Sequence, residues 1–215
     1  MRPNVRDGLV QLRRAGARRG TEAAVRGGAR LARGVAREAR LRTRPVHAAP
    51  GELAAALGGL DPVTVLRGPV LDALPTVARF ERDLEAHESL VERADEICAH
   101  RFDLLGSGPT DLSPQIDWHV DFKTGRRWPL RHSSVLPVAY GDGSDIKVPW
   151  ELSRSQHLPL LAGAYRRTGD RRYLDELGAQ LTSWIRANPV ELGPNWACTM
   201  DVAIRAANWV AALAL

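Results

Sequence analysis

The sequence has 215 residues, 44% apolar and 26% charged, the balance of a globular protein with enough chain for one domain plus an arm. Its formal charge of +5 is unevenly spread: residues 1–50 hold thirteen Arg against Asp7, Glu22 and Glu38, a net of +10, so residues 51–215 carry −5. A mildly acidic body argues against a protein built as a whole to grip nucleic acid, and no apolar run approaches the length of a membrane span.

Residues 1–50 show weak helical spacing (Val5, Leu9, Leu12) broken by glycines and ending in "RPVHAAP". They read as a basic Arg-rich arm, partly helical or disordered. A solvated extension is the simplest expectation, and contact with a polyanion or a membrane surface the other. The arm lacks the continuous apolar segment of a secretory signal. Residues 51–75 contain two short helical pieces, "GELAAALGGL" and "DPVTVLRG", with Pro62 at a helix start.

Over 76–103, Phe80, Leu84, Leu90, Val91, Ala94, Ile97 and Cys98 approximate a 3.6-residue stripe and predict a helix. It should end near "FDLLGSGP", where Gly106, Gly108 and Pro109 interrupt it. Residues 106–149 have little helical periodicity and many Gly and Pro. Within them "DWHVDFKTGRRWP" alternates Trp118, Val120 and Phe122, turns at Thr124–Gly125 and returns to Trp128, which fits a small β-hairpin or an extended arm. An irregular stretch of that length usually covers or binds something.

Three helices are expected next. The first runs from about Trp150 to Arg167 and contains Pro159, which removes a backbone donor and predicts a kink or a late start. "TGD" then reverses the chain, with Gly169 at the C-terminal left-handed position and Asp170 as the next cap. The second helix carries Leu174, Leu177, Leu181, Trp184 and Ile185 on one side and stops at Asn188–Pro189. These two form an antiparallel hairpin. The third starts at Asn195 as N-cap and is apolar nearly all round, so it should be buried on several sides. It still bears a polar line of Asp201, Arg205 and Asn208. Because the sequence stops at "WVAALAL", the expectation is a fragment of a longer protein, or a chain whose partners lie elsewhere, against a terminal helix docked on its own domain. The fold class expected is all-α.

Cys98 and Cys198 show no metal spacing and read as two reduced thiols. P-loop, dinucleotide and zinc motifs are absent. "GSGPTD" (106–111) is a Gly-rich turn, and "GDGSD" (141–145) lacks the Glu of a calcium loop and reads as a turn before a helix. The informative stretch is "DIKVPWELSRSQHLPLLAGAYRRTGD", residues 145–170. On one continuous helix, positions 151, 154, 158, 161, 162 and 165 share a face, so Glu151 and Arg154 extend a buried stripe. Buried charges need partners, and these two can pair, as can Asp201 with Arg205. Two such polar lines on neighbouring helices either wall a hydrophilic cleft or lock helix registers as structural ion pairs. His157 alone is as well explained as a hydrogen-bonded core histidine.

The ordered series "FDLLGSG", "IDWHVDFKTGRRWP", "DIKVPWELSRSQHLPLLAGAYRRTGDRRYLDEL", "SWIRANP" and "NWACTMDVAIRAANWV" resembles the N-terminal domain of heparinase II/III-type polysaccharide lyases over roughly residues 76–215. The resemblance implies an incomplete α/α toroid of antiparallel helical hairpins over 51–215, with the usual C-terminal β-sandwich domain absent. It implies β-elimination of a uronate-containing, in some relatives sulfated, polysaccharide, with no cofactor and no metal. Such chemistry neutralises the C5 carboxylate, removes the C5 proton and protonates the departing O4. The family's Asn, Tyr and His for those tasks have no matching positions here, so no catalytic residue is assigned. The matched positions implied for substrate binding are Trp150, Glu151, Arg154, His157, Asn195, Trp196, Asp201 and Arg205, with Arg154 and Arg205 facing sugar carboxylates or sulfates. Pro159 departs from the family pattern. Relatives of this kind are often periplasmic or secreted, whereas the missing apolar signal makes the cytoplasm the default.

Three other readings compete with an incomplete lyase. One is a non-catalytic glycan-binding or assembly module. Another is an α/α-toroid glycoside hydrolase, for which Glu151 and Asp201 are the only carboxylate pair to nominate. Nucleic-acid binding through residues 1–50 comes last, so the expected partners are an acidic polysaccharide and the missing C-terminal region of the same protein.

Overall fold

The computed structural model describes residues 26–44 and 89–215. Phe80, Leu84 and the short helices expected over 51–75 lie outside the described residues. The fold is all-α, with two small hairpins. Its elements are α1 (26–43), α2 (Leu90–Cys98), β1 (Arg101–Phe102), β2 (Thr110–Asp111), β3 (Val120–Asp121), β4 (Arg126–Arg127), α3 (Lys147–Ser153), α4 (Leu158–Thr168), α5 (Arg171–Ala187) and α6 (Thr199–Ala214).

The centre is α4. Leu158 and Leu161 supply bulk, and Ala162, Gly163 and Ala164 let neighbours approach closely; all five are buried. Helices α2, α5 and α6 pack around it. From α2 the buried contributors are Leu90, Ala94 and Ile97, the i, i+4, i+7 subset of the expected stripe. The α4–α5 reversal forms as the sequence predicts. Gly169 takes φ +72° and donates its amide to Tyr165 O at 2.7 Å, and the Asp170 carboxylate accepts from Arg172 N at 3.0 Å. On α5 the buried side chains are Tyr173, Leu177, Gln180 and Trp184. Ile185, expected on that side, is exposed.

The single helix expected over 150–167 is two helices. In a continuous helix the Pro159 ring would clash with the carbonyl of residue 155. The chain instead ends α3 at Ser153, passes through Ser155 at φ +58°, and restarts α4 with Pro159 in its first turn. Helix α6 also departs from expectation. It begins at Thr199 with Cys198 at the cap position, and Asn195 lies in a preceding 3-10 turn, Pro194–Trp196. Asn195 is fully buried and donates to Trp118 O at 2.8 Å and Asn188 Oδ1 at 2.9 Å. The inward side of α6 is the polar one, with Asp201, Arg205 and Ala212 buried while Met200, Val210 and Leu213 are exposed. Asp201 and Arg205 find partners inside, and that fixes the rotation of the helix at the expense of its apolar side.

The irregular segment holds two antiparallel hairpins. β1–β2 pairs Arg101 with Asp111, and β3–β4 pairs Val120 with Arg127 across the turn that Gly125 permits at φ +76°. Trp118 and Trp128 are buried, each with its indole N–H satisfied, by Ser183 Oγ at 3.1 Å and Pro137 O at 2.8 Å. The strict alternation is broken, because Asp121 is buried too. Its carboxylate gathers the amides of Lys123 at 2.9 Å and Asp145 at 3.0 Å and so ties the hairpin to the entry of α3.

Part of the arm is a docked helix. Gly34, Glu38 and Leu41 of α1 are buried. Arg37 forks onto Glu191 with contacts of 2.8 and 2.7 Å, and Glu38 accepts from His132 N and Arg131 Nε, both at 3.2 Å. A Cβ on Gly34 would stand 2.5 Å from Val135 Cγ1, so only glycine permits this approach.

Candidate functional site

Beside the helix-to-helix junction 154–157 lies a cleft of about 820 Å³. One wall comes from α2 (Arg93, Glu96, Ile97), and a second from β1 and the loop after it (Arg101 to Leu104, and Pro109). Glu151, Gln156, His157, Leu160 and Asn208 close it. Ile97, Phe102, Leu104 and Leu160 make an apolar floor, and the charged groups sit at the rim. A concave apolar surface with a few convergent polar groups is what a ligand site requires.

Glu151 belongs to a chain of charges. Arg154 Nη1 donates to its carboxylate, and Arg154 Nε donates to Asp201 Oδ1 at 2.6 Å. Asp201 is buried, and its Oδ2 has no hydrogen-bond partner among the described residues. Burial works against the Arg154 charge, but the Asp201 hydrogen bond and the charges of Glu151 and Asp201 outweigh it and raise the Arg154 pKa. Asn208 Nδ2 donates to Arg154 O at 2.8 Å. A guanidinium already shared between two carboxylates orients Glu151 at the cleft wall; it is poorly placed to accept another anion.

His157 is buried beneath the cleft, edge-on to Phe102 with ring centroids 5.1 Å apart. Gln180 donates its amide to Glu176 at 2.6 Å, which leaves Gln180 Oε1 to accept from His157 Nε2 at 2.8 Å. The imidazole is therefore the neutral Nε2–H tautomer. Burial pushes its pKa down to about 4.

Arg205 does not reach the cleft. Its guanidinium lies 4.1 Å from the Trp184 ring centroid and 5.4 Å from that of Trp196, and donates to Asn195 O at 3.2 Å. Burial pushes its pKa down to about 10. This is a core cation held by aromatic faces. Trp150 and Trp196 are packing residues as well, with indole N–H groups bound to Pro194 O at 2.8 Å and Asn188 O at 3.3 Å.

A family model described as Heparinase II/III N-terminus matches residues 73–213. The chain belongs to this family. A heparin-sulfate lyase from Pedobacter heparinus is 29% identical over 102 residues, 47% of this chain and 12% of that protein. The crystal structure of heparan sulfate lyase HepC from Pedobacter heparinus is 19% identical with a TM-score of 0.43, covering 76% of this chain and 25% of that one. The chain thus spans a small part of the length of these relatives.

Within this heparinase II/III N-terminal domain, the eight positions named from sequence divide by geometry. Glu151 and His157 line the cleft. Arg154 and Asp201 stand behind Glu151, and Trp150, Asn195, Trp196 and Arg205 hold the helices together. The expected Asp201–Arg205 pairing along α6 gives way to Asp201–Arg154 across two helices. Sequence reasoning missed Arg93, Arg101, Phe102 and Gln156. Phe102 opens the "FDLLGSG" motif and Arg101 precedes it, so the motif marked the place without giving a role. Among the described residues no group of His, Cys, Asp and Glu could hold a metal ion, and no helix is long and apolar enough to cross a membrane.

Proposed function

We propose that this chain forms the N-terminal part of an α/α toroid in a polysaccharide lyase, and that the cleft beside Glu151 and His157 receives an acidic, uronate-containing polysaccharide. The observation that carries the reading is the cleft itself, with an apolar floor for sugar rings, Arg93 at its rim for carboxylates or sulfates, and Arg101 beside it, which Glu96 holds in a fork and would have to share with the ligand. Membership of the heparinase II/III family supports it. The roles here are binding and orientation. Arg154 holds the Glu151 carboxylate in place, and neutral His157 offers a polar edge in an apolar wall.

The glycoside hydrolase alternative loses its basis. It needs two carboxylates facing each other across a cleft, and Asp201 is buried on the same guanidinium that holds Glu151. A binding module without catalysis differs from a lyase part only in the product. Incubation with heparan sulfate and with an unsulfated uronate polymer, reading both retention and unsaturated-uronate absorbance, separates them. Arg93→Ala with Arg101→Ala should weaken retention about tenfold, as expected for two exposed ionic contacts. Unchanged retention of both polymers would remove the cleft from the reading.

A further inference from the structure

One flank of α1 carries a second feature that the cleft does not use. Arg26, Arg30, Arg33, Arg37, Arg40 and Arg44 recur at spacings of 4, 3, 4, 3 and 4 residues, which sets them along one side of a helix. The last turn holds, with Arg44 N donating to Arg40 O at 2.7 Å. Arg37, in the middle of the row, is clamped by Glu191, and the contacts at Gly34 and Glu38 fix the rotation of the helix. The row is therefore displayed in a set direction. Arg30, Arg33, Arg40 and Arg44 are exposed and have no carboxylate partner among the described residues. Like charges so spaced destabilise a helix, a cost that an anion lying along the row would offset. The residues that hold α1 are not among those lining the cleft.

We propose that this arginine row is a second binding surface, which anchors a stretch of acidic polysaccharide outside the cleft. The choice of polymer rests on the function proposed above. The mean spacing of 3.6 residues advances about 5 Å along the axis, roughly one pyranose ring, so one linear chain with a charge on most sugars meets Arg30 and Arg33 and, past the clamped Arg37, Arg40 and Arg44. A membrane surface fits less well. The exposed apolar residues of α1, Leu31 and Val35, lie on the opposite flank, with the body-facing ridge of Gly34, Glu38 and Leu41 between them and the row. An interfacial helix needs its apolar and basic groups to meet one plane.

The test uses the whole protein on immobilised heparin. Replacing Arg30, Arg33 and Arg40 together by Ala should lower the salt needed for elution and weaken binding about tenfold at low ionic strength. Replacing the same three by Lys should retain most of the binding, which separates loss of charge from loss of fold. Unchanged elution of the alanine variant overturns the proposal. So does tighter binding of duplex DNA or of anionic phospholipid vesicles than of heparin through the same three residues. The paired Arg93→Ala and Arg101→Ala variant is run beside it. If only that variant loses heparin, the row fails and the cleft stands. If only the α1 variant loses it, the row stands and the cleft reading fails.

Discussion

Arg154 Nε meets Asp201 Oδ1 at 2.6 Å and joins the junction after α3 to the first turn of α6. The contact ties the register of one helix to the other, and Arg154 simultaneously fixes Glu151 at the cleft wall. Asp201 is buried, so its removal takes from Arg154 the inner of its two carboxylates and leaves only Glu151 to hold the charge. Asp201→Ala should destabilise the fold by about 3 kcal/mol, toward the lower end for broken buried pairs because Arg154 keeps some solvent contact. Urea denaturation followed by Trp fluorescence measures it. A loss under about 1 kcal/mol would mean that the pair is as weak as a surface bridge.

His157 makes stability depend on pH. Its folded pKa of about 4 lies below the ordinary 6.5 because burial opposes the charged form. Between those values the unfolded chain binds the extra proton, so stability is full above about pH 6.5 and falls as the pH drops toward 4, by about 3 kcal/mol. His119, also lowered chiefly by burial, adds in the same direction. Replacing His157 by Gln should flatten the dependence in that window, as read from thermal midpoints across pH. An equally steep profile in the variant would place the titration elsewhere.

The β3–β4 hairpin and the α4–α5 reversal were legible because they depend on local chemistry: glycine at positive φ at 125 and 169, and a capping carboxylate at Asp170; β1–β2 was not, since residues 101–102 fell within the helix expected over 76–103. At Pro159 the sequence predicts a kink or a late start; the chain takes the late start, with α4 beginning at Leu158, and only packing decides between the two. Helix α6 shows the larger limit. Its polar line was visible, but which side faces inward depends on partners distant in sequence, Arg154 for Asp201 and Trp184 for Arg205. An i, i+4 pairing is the natural guess from sequence, and it gave the wrong partner for Asp201. The cleft was legible at Glu151 and His157, whereas Arg93 and Arg101 are ordinary surface charges until the fold brings α2 and β1 beside them.

Docking of α1 turns on Gly34, whose Cβ would stand 2.5 Å from Val135 Cγ1 and 2.7 Å from Ser134 Oγ. Gly34→Leu should lift the helix off its site without disturbing the α4 core. Amide exchange over 26–44 should accelerate while that of α4 and α5 stays protected. Glu191 is the electrostatic half of the latch, its pKa held down to about 2 chiefly by the Arg37 hydrogen bond and further by His132. Its contribution is present above about pH 4.5 and lost as the pH falls through 2. Equal acceleration throughout the chain would make α1 part of the cooperative core.

Leu105 adopts φ +55° with its side chain 49% exposed. A branched side chain in the left-handed region strains against its own backbone by about 1–2 kcal/mol, and exposure means that little packing is recovered. Lys123 Nζ reaches the Leu105 carbonyl at 2.5 Å, a contact that any residue at 105 preserves. Leu105→Gly relieves the strain and loses part of the gain to the greater freedom of glycine in the unfolded chain. The net should be a stabilisation of about 0.5–1 kcal/mol, seen as a higher urea midpoint at unchanged m-value. A destabilised variant would show that the Leu105 side chain, beside Leu104 in the cleft wall, packs against something that rewards its strain.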